Sequence, residues 1–187
     1  MDVVALVELG YQWTGGRVNQ VRLQDLDAPT PCTRWDVRAL LNHLVGAVGF
    51  LAKVAAGEPS APDAHGWTRI DFIGSDPAAA FAGAAERALA AWRTPGAMDR
   101  QCVMPFGVEP GRRVAQRGLT DAVVHGWDLS RAIGENADIP DELAEPLWDI
   151  DQALVDDSLR GGPFAPPVPF TGGTMSDRLM AFLGRQP

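Results

Sequence analysis

The sequence predicts a mainly α-helical bundle carrying one small β-hairpin. Three observations lead there. Apolar residues recur at helical spacing in several long segments. Those segments open and close on residues that cap helices. Strands and helices do not alternate, and neither a GxGxxG nor a P-loop motif occurs, so an α/β nucleotide-binding sheet is not expected.

The first helix is expected over residues 2–26, where Val3, Val4, Leu6, Val7, Leu9, Val18, Val21 and Leu23 give near-helical spacing. Gly10, Gly15 and Gly16 weaken its middle. Two prolines in Ala28 to Cys32 (APTPC) then break the chain. Thr33 and Asp36 form a capping-box pattern that opens a second helix. That helix carries the stripe Val37, Leu40, Leu41, Leu44, Val45, Val48 and Leu51 and stops near Gly57. A Gly/Pro-rich loop over 57–75 follows. Asp76-Pro77 then pairs an N-cap with proline at the first helical position, opening an Ala-rich third helix that ends near Arg93.

Residues 100–116 contain short β-compatible runs around Gly107 and Pro110-Gly111, which predict the hairpin. A fourth helix is expected over 118–133 with Gly134 as its stop, a fifth over 141–159, and a short last one over 176–183 after a Pro-rich extended stretch. The whole of 1–187 reads as one domain.

Composition narrows the function. The 187 residues carry 16 Lys plus Arg against 24 Asp plus Glu, a formal charge of −8. Without basic clusters, nucleic acid and anionic membranes are not expected as partners. No run of apolar residues reads as a membrane span, and the acidic N-terminus does not read as a signal peptide. Cys32 and Cys102 show no CxxC spacing and read as cytosolic thiols, so the expected location is the cytoplasm. Nine acids and no Lys or Arg lie between Glu135 and Asp157, which reads as a solvated acidic face. An acidic, Ala-rich bundle is also a candidate homodimer.

Only three histidines are present. On the fourth helix, DAVVHGWD places Asp121, His125 and Asp128 within a narrow sector, since ~100° per residue rotates His125 by about 40° and Asp128 by about −20° from Asp121. Val123, Val124, Trp127 and Leu129 surround them, so the sector is not a generic wet face. His43 flanks the apolar stripe of the second helix beside the small residues Ala39, Gly46 and Ala47. If the two helices pack together, His43 can meet Asp121 and His125, as metal sites in bundles are built. The competing interpretation is a core histidine and an ordinary helix-surface acid–imidazole pair. His65, in the Pro/Gly loop, reads as a surface residue. Trp35 and Trp127 flank the ligand positions and read first as core packing, with walls of the pocket as the alternative. Cys32, just before a helix N-terminus that lowers a thiol pKa, reads first as a buried structural thiol, with a reactive thiol as the alternative.

Pro29 to Ala47 (PTPCTRWDVRALLNHLVGA), Asp121 to Gly134 (DAVVHGWDLSRAIG) and the ending Asp177 to Pro187 resemble the DinB-like superfamily. They are most similar to the metal-binding domain of mycothiol-dependent maleylpyruvate isomerase and its short single-domain relatives. The resemblance implies a DinB-like four-helix bundle with an extra C-terminal helix. It implies a divalent metal, zinc foremost with nickel or iron as alternatives, held by His43, Asp121 and His125. It also implies mycothiol or a similar low-molecular-mass thiol whose sulfur approaches that metal. The isomerase has Glu where this chain has Asp121, one methylene shorter, and carries a second C-terminal domain for which this chain has no expected counterpart.

Three protein ligands would leave zinc an open position, where a thiol loses its proton or a water has its pKa lowered to about 7. Asp128 would orient His125 or act as a base, its alternative being a helix-stabilising contact near Arg131. An anionic cofactor would enter near Arg112, Arg113 and Arg117. The leading expectation is a metal-dependent thiol transferase or isomerase-like enzyme acting on a small electrophile. The alternatives are a metal-dependent hydrolase, a non-haem iron oxygenase, and a non-catalytic metal-binding bundle.

Overall fold

The computed structural model describes residues 1–58, 70–104, 107–161 and 164–187. His65 therefore lies outside the described residues. The chain divides into two compact units, Met1–Glu135 and Asn136–Pro187.

Among the described residues, the first unit holds four α-helices and the hairpin. Helix α1 spans Val3–Val18, capped by the Asp2 carboxylate, which accepts from the Val4 N–H. It is shorter than expected: after Val18 the chain leaves the helix and makes a 3₁₀ turn at Leu23–Asp25. Helix α2 spans Val37–Ala56. Its N-cap is Asp36, whose carboxylate accepts from the Ala39 N–H at 2.8 Å, so Asp36 itself does the capping that the sequence pattern assigned to Thr33. Gly57, at φ +78°, closes α2 as expected.

By length and hydropathy α2 could cross a membrane, contrary to expectation, yet 78% of its apolar window is buried inside the protein. It is the core helix. Leu40, Leu41, Leu44 and Val37 are wholly excluded from solvent.

Helix α3 spans Pro77–Trp92 with Asp76 as cap. Strands β1 (Gln101–Met104) and β2 (Gly107–Pro110) pair antiparallel, Cys102 opposite Glu109. Helix α4 runs Gly111–Ile133 and ends on Gly134 at φ +73°. It starts seven residues before the expected position. Gly111 opens this helix and does not lie in the hairpin as expected; a Cβ there would collide with the Ala97 carbonyl oxygen.

In the bundle α1 packs on α4 and α3, and α2 packs on α3 and α4. Close approach of α1 to α4 depends on Gly126, where a Cβ would lie 2.7 Å from Trp13 Cζ3. The Thr14 hydroxyl donates across the same interface to the Ala122 carbonyl at 3.0 Å.

The second unit holds α5 (Asp141–Leu154), a 3₁₀ turn at Asp157–Leu159 and α6 (Met175–Phe182). Helix α5 ends five residues short of the expected boundary, where Val155 turns extended. Trp148 and Phe182 stack edge to face at 5.5 Å, and Thr174 with Asp177 forms a capping box that starts α6. Of the nine acids between 135 and 157, Asp151 departs from a solvated face: it is wholly buried.

Candidate metal centre

The pairing of α2 with α4 brings together residues 78 positions apart. His43 Nε2 lies 3.2 Å from Asp121 Oδ1 and 3.3 Å from Oδ2. His125 Nε2 lies 3.5 Å from the same Oδ1. One donor atom from each of His43, Asp121 and His125 falls within 4.8 Å of the others. The two imidazoles meet edge to face, ring centroids 5.1 Å apart. Both histidines are buried, whereas the Asp121 side chain keeps 36% of its exposure, so the cluster opens to solvent on the carboxylate side.

Asp128, with no exposed surface, stands behind His125. Its Oδ2 lies 3.0 Å from His125 Nδ1. An Nδ1–H donated to that carboxylate leaves Nε2 as the lone-pair nitrogen, turned toward Asp121 and His43. Two imidazole nitrogens and a carboxylate oxygen suit zinc, and equally iron or nickel. The residues present fit a divalent cation, and the buried carboxylate behind one imidazole is the orienting partner that such ligands use.

The two tryptophans that flank the ligand positions in sequence differ in the fold. Trp35 lies against both imidazoles, 4.5 Å from the His43 ring and 5.6 Å from the His125 ring. Trp127, by contrast, is buried and carries Arg131 over its face at 5.1 Å. Tyr11, from α1, is buried, and its phenol is pushed well above the ordinary value, first by burial and then by the Asp121 charge. No spacing rule links Tyr11 or Trp35 to the motif, because each comes from another segment of the fold.

Cys32 is half-buried, not sequestered as expected, and joins His125 and Asp128 in a second group of potential ligands. Arg117 and Arg113 lie about one and two turns before Asp121 on α4. Both are held by Glu109 of β2: Arg117 donates two hydrogen bonds at 2.9 Å, and Arg113 Nε lies 3.4 Å from the same carboxylate. The structure thus gathers both on one carboxylate, on the helix that carries Asp121.

Fold and site together define a helical-bundle protein with a candidate divalent-metal centre between two helices. A family model described as the mycothiol maleylpyruvate isomerase N-terminal domain matches residues 13–130, which include every residue of that centre. The chain belongs to this family. It is similar, at 35% identity over 168 residues, to an uncharacterized protein of Mycobacterium tuberculosis found in two strains; the match covers 88% of this chain and 87% of the relative. Among solved structures it resembles the mycothiol-dependent maleylpyruvate isomerase (TM-score 0.58) and a histidine-to-alanine mutant of that enzyme (TM-score 0.61), each at 17% identity. Those matches cover 76% of this chain and 65% of the isomerase chain, just under two thirds of its length. The fold is that of the isomerase.

Proposed function

We propose that this chain is a metal-dependent enzyme that uses a low-molecular-mass thiol of the mycothiol type to act on a small electrophile. The observation that carries the reading is the convergence of His43, Asp121 and His125 within 4.8 Å, open on one side. Family membership supports the thiol. Zinc is the expected cation.

A bound cation at these three residues would supply Lewis acidity and stabilise a thiolate at its open position. The protein's own residues supply the rest. Asp128 holds the His125 ring and its tautomer. Trp35 covers the imidazoles and keeps water from one side of the cluster. Asp121 faces the opening, where substrate and thiol would enter. Arg113 and Arg117 offer charge for an anionic group on the thiol, with Glu109 as the partner they would have to share. The acidic balance and the lack of basic clusters weigh against nucleic acid and anionic membranes as partners, and the two cysteines without CxxC spacing support a cytoplasmic role.

The test is the metal content of the Cys32→Ser protein, which lacks the second group of potential ligands, beside the same protein carrying His43→Ala or His125→Ala. Loss in both variants is expected; unchanged content in both sinks the site. Turnover of an electrophile that depends on added thiol then supports the transferase reading. Oxygen consumption without thiol would instead favour an iron oxygenase, and bound metal without turnover a non-catalytic binder.

A further inference from the structure

We infer a second cation position that overlaps the first: a thiophilic divalent cation of the zinc or cadmium class, held by Cys32, His125 and Asp128. One donor atom from each of these three residues lies within 4.8 Å of the others. Among the described residues the donors divide into this group and the His43–Asp121–His125 group, with His125 common to both.

The imidazole explains the division. His125 Nε2 faces Asp121 at 3.5 Å, and Nδ1 faces Asp128 at 3.0 Å. The carboxylates of the two groups therefore flank opposite nitrogens of one ring. A neutral imidazole has a single lone pair. A cation on the Asp121 side needs the proton on Nδ1; a cation on the Asp128 side needs it on Nε2. The two positions exclude each other, so one chain holds one cation. This competition, though not the Cys32 position itself, rests on the function proposed above.

Cys32 reaches this place through a built loop. Pro29 and Asp36 bridge across it. The Trp35 N–H donates to the Cys32 carbonyl at 2.9 Å, and the Thr30 hydroxyl donates to the carbonyls of Cys32 and Trp35 at 3.1 and 2.8 Å. The same turn sets Trp35 over the histidines and the Cys32 sulfur beside His125. A sulfur ligand selects a soft cation over magnesium or calcium. On binding, the Cys32 thiol proton passes to solvent and the sulfur coordinates as thiolate. Because the cofactor thiol of the proposed reaction would also bring sulfur to the cation, a cation drawn to Cys32 is withdrawn from the open position, and the loop acts as an internal competitor.

The test is titration of the metal-free protein with cadmium ion, read by the ultraviolet sulfur-to-cadmium charge-transfer band and by bound cadmium per chain, with circular dichroism to confirm the helices. Wild type and Cys102→Ser are expected to show the band and to hold a single cation. His43→Ala keeps the band. Cys32→Ser loses the band but still binds one cation at the His43 group. His125→Ala loses both. A wild type without the band, a band that survives Cys32→Ser, a band that vanishes with His43→Ala, or two cations per chain would each overturn the inference. If Cys32→Ser binds nothing while wild type shows the band, the Cys32 site stands and the His43 site of the proposed function fails.

Discussion

Asp128 touches the proposed cation only through His125 at the His43 group, and its replacement by asparagine gives a measurable consequence. Asparagine is close to isosteric and keeps an acceptor oxygen near His125 Nδ1, so the tautomer persists and the fold should hold. What disappears is the charge behind the imidazole. Asp128 is wholly buried and its oxygen sits 3.0 Å from Nδ1, so no solvent screens the loss. Removing an orienting partner of a metal-bound histidine typically costs about 10–100-fold in affinity, or roughly 1.4–2.8 kcal/mol at 1.4 kcal/mol per decade. Asp128→Asn should fall at the lower end and Asp128→Ala, which also frees the ring, at the upper end. The assay is competition for zinc against a chromophoric chelator, with thermal unfolding of the metal-free variants as the folding control. The control variant Cys32→Ser removes the overlapping sulfur position and isolates the His43 group. In that background, an Asp128→Asn affinity within about twofold of its parent would refute the argument that the buried carboxylate tunes His125.

Tyr11 is the single tyrosine, so tyrosinate absorbance reports one residue. Its native pKa is raised by burial, and an unfolded phenol ionises near 10. The stability this contributes is complete below about pH 10 and declines as pH rises above it; tyrosinate should therefore appear only together with loss of helical circular dichroism, and a separate, earlier tyrosinate step would contradict the burial. Gly126→Ala puts a methyl 2.7 Å from Trp13 Cζ3 and 3.2 Å from Thr14 Oγ1; overpacking of this kind costs ~1–3 kcal/mol, read as a lowered chemical-denaturation midpoint. Gly16→Ala is its counterpart: it meets nothing within 4 Å in α1 and should stabilise by roughly 0.5–1 kcal/mol from helix propensity, so an equal loss in both variants would mean that the α1–α4 contact is not the cause. Trp35 is in ring contact with both site histidines; a zinc-dependent change in fluorescence should vanish in Trp35→Phe, and its persistence there would assign the signal elsewhere.

What the sequence carried well is chemistry that acts over a few residues. Asp76 before Pro77, and Gly57 and Gly134 at positive φ, mark helix ends because a cap or a left-handed residue is a local requirement. The same local rules misread Gly111, whose missing side chain answers to the Ala97 carbonyl across the fold and not to its own segment. The close placing of Asp121, His125 and Asp128 followed from one helical period. The meeting of His43 with Asp121 did not, since it needs α2 to pack on α4 at one particular rotation. Cys32 and Trp35 were harder still, because their positions are set by a hydrogen-bonded turn with no helical or strand period to read. Yet that turn is where the two cation positions come apart. Helix α4 alone would offer His125 two carboxylates, one on each ring nitrogen. It is the loop before α2 that makes them unlike, by setting a thiol on the Asp128 side, while α2 sets an imidazole on the Asp121 side. The choice between them is a choice of which nitrogen of His125 keeps its proton.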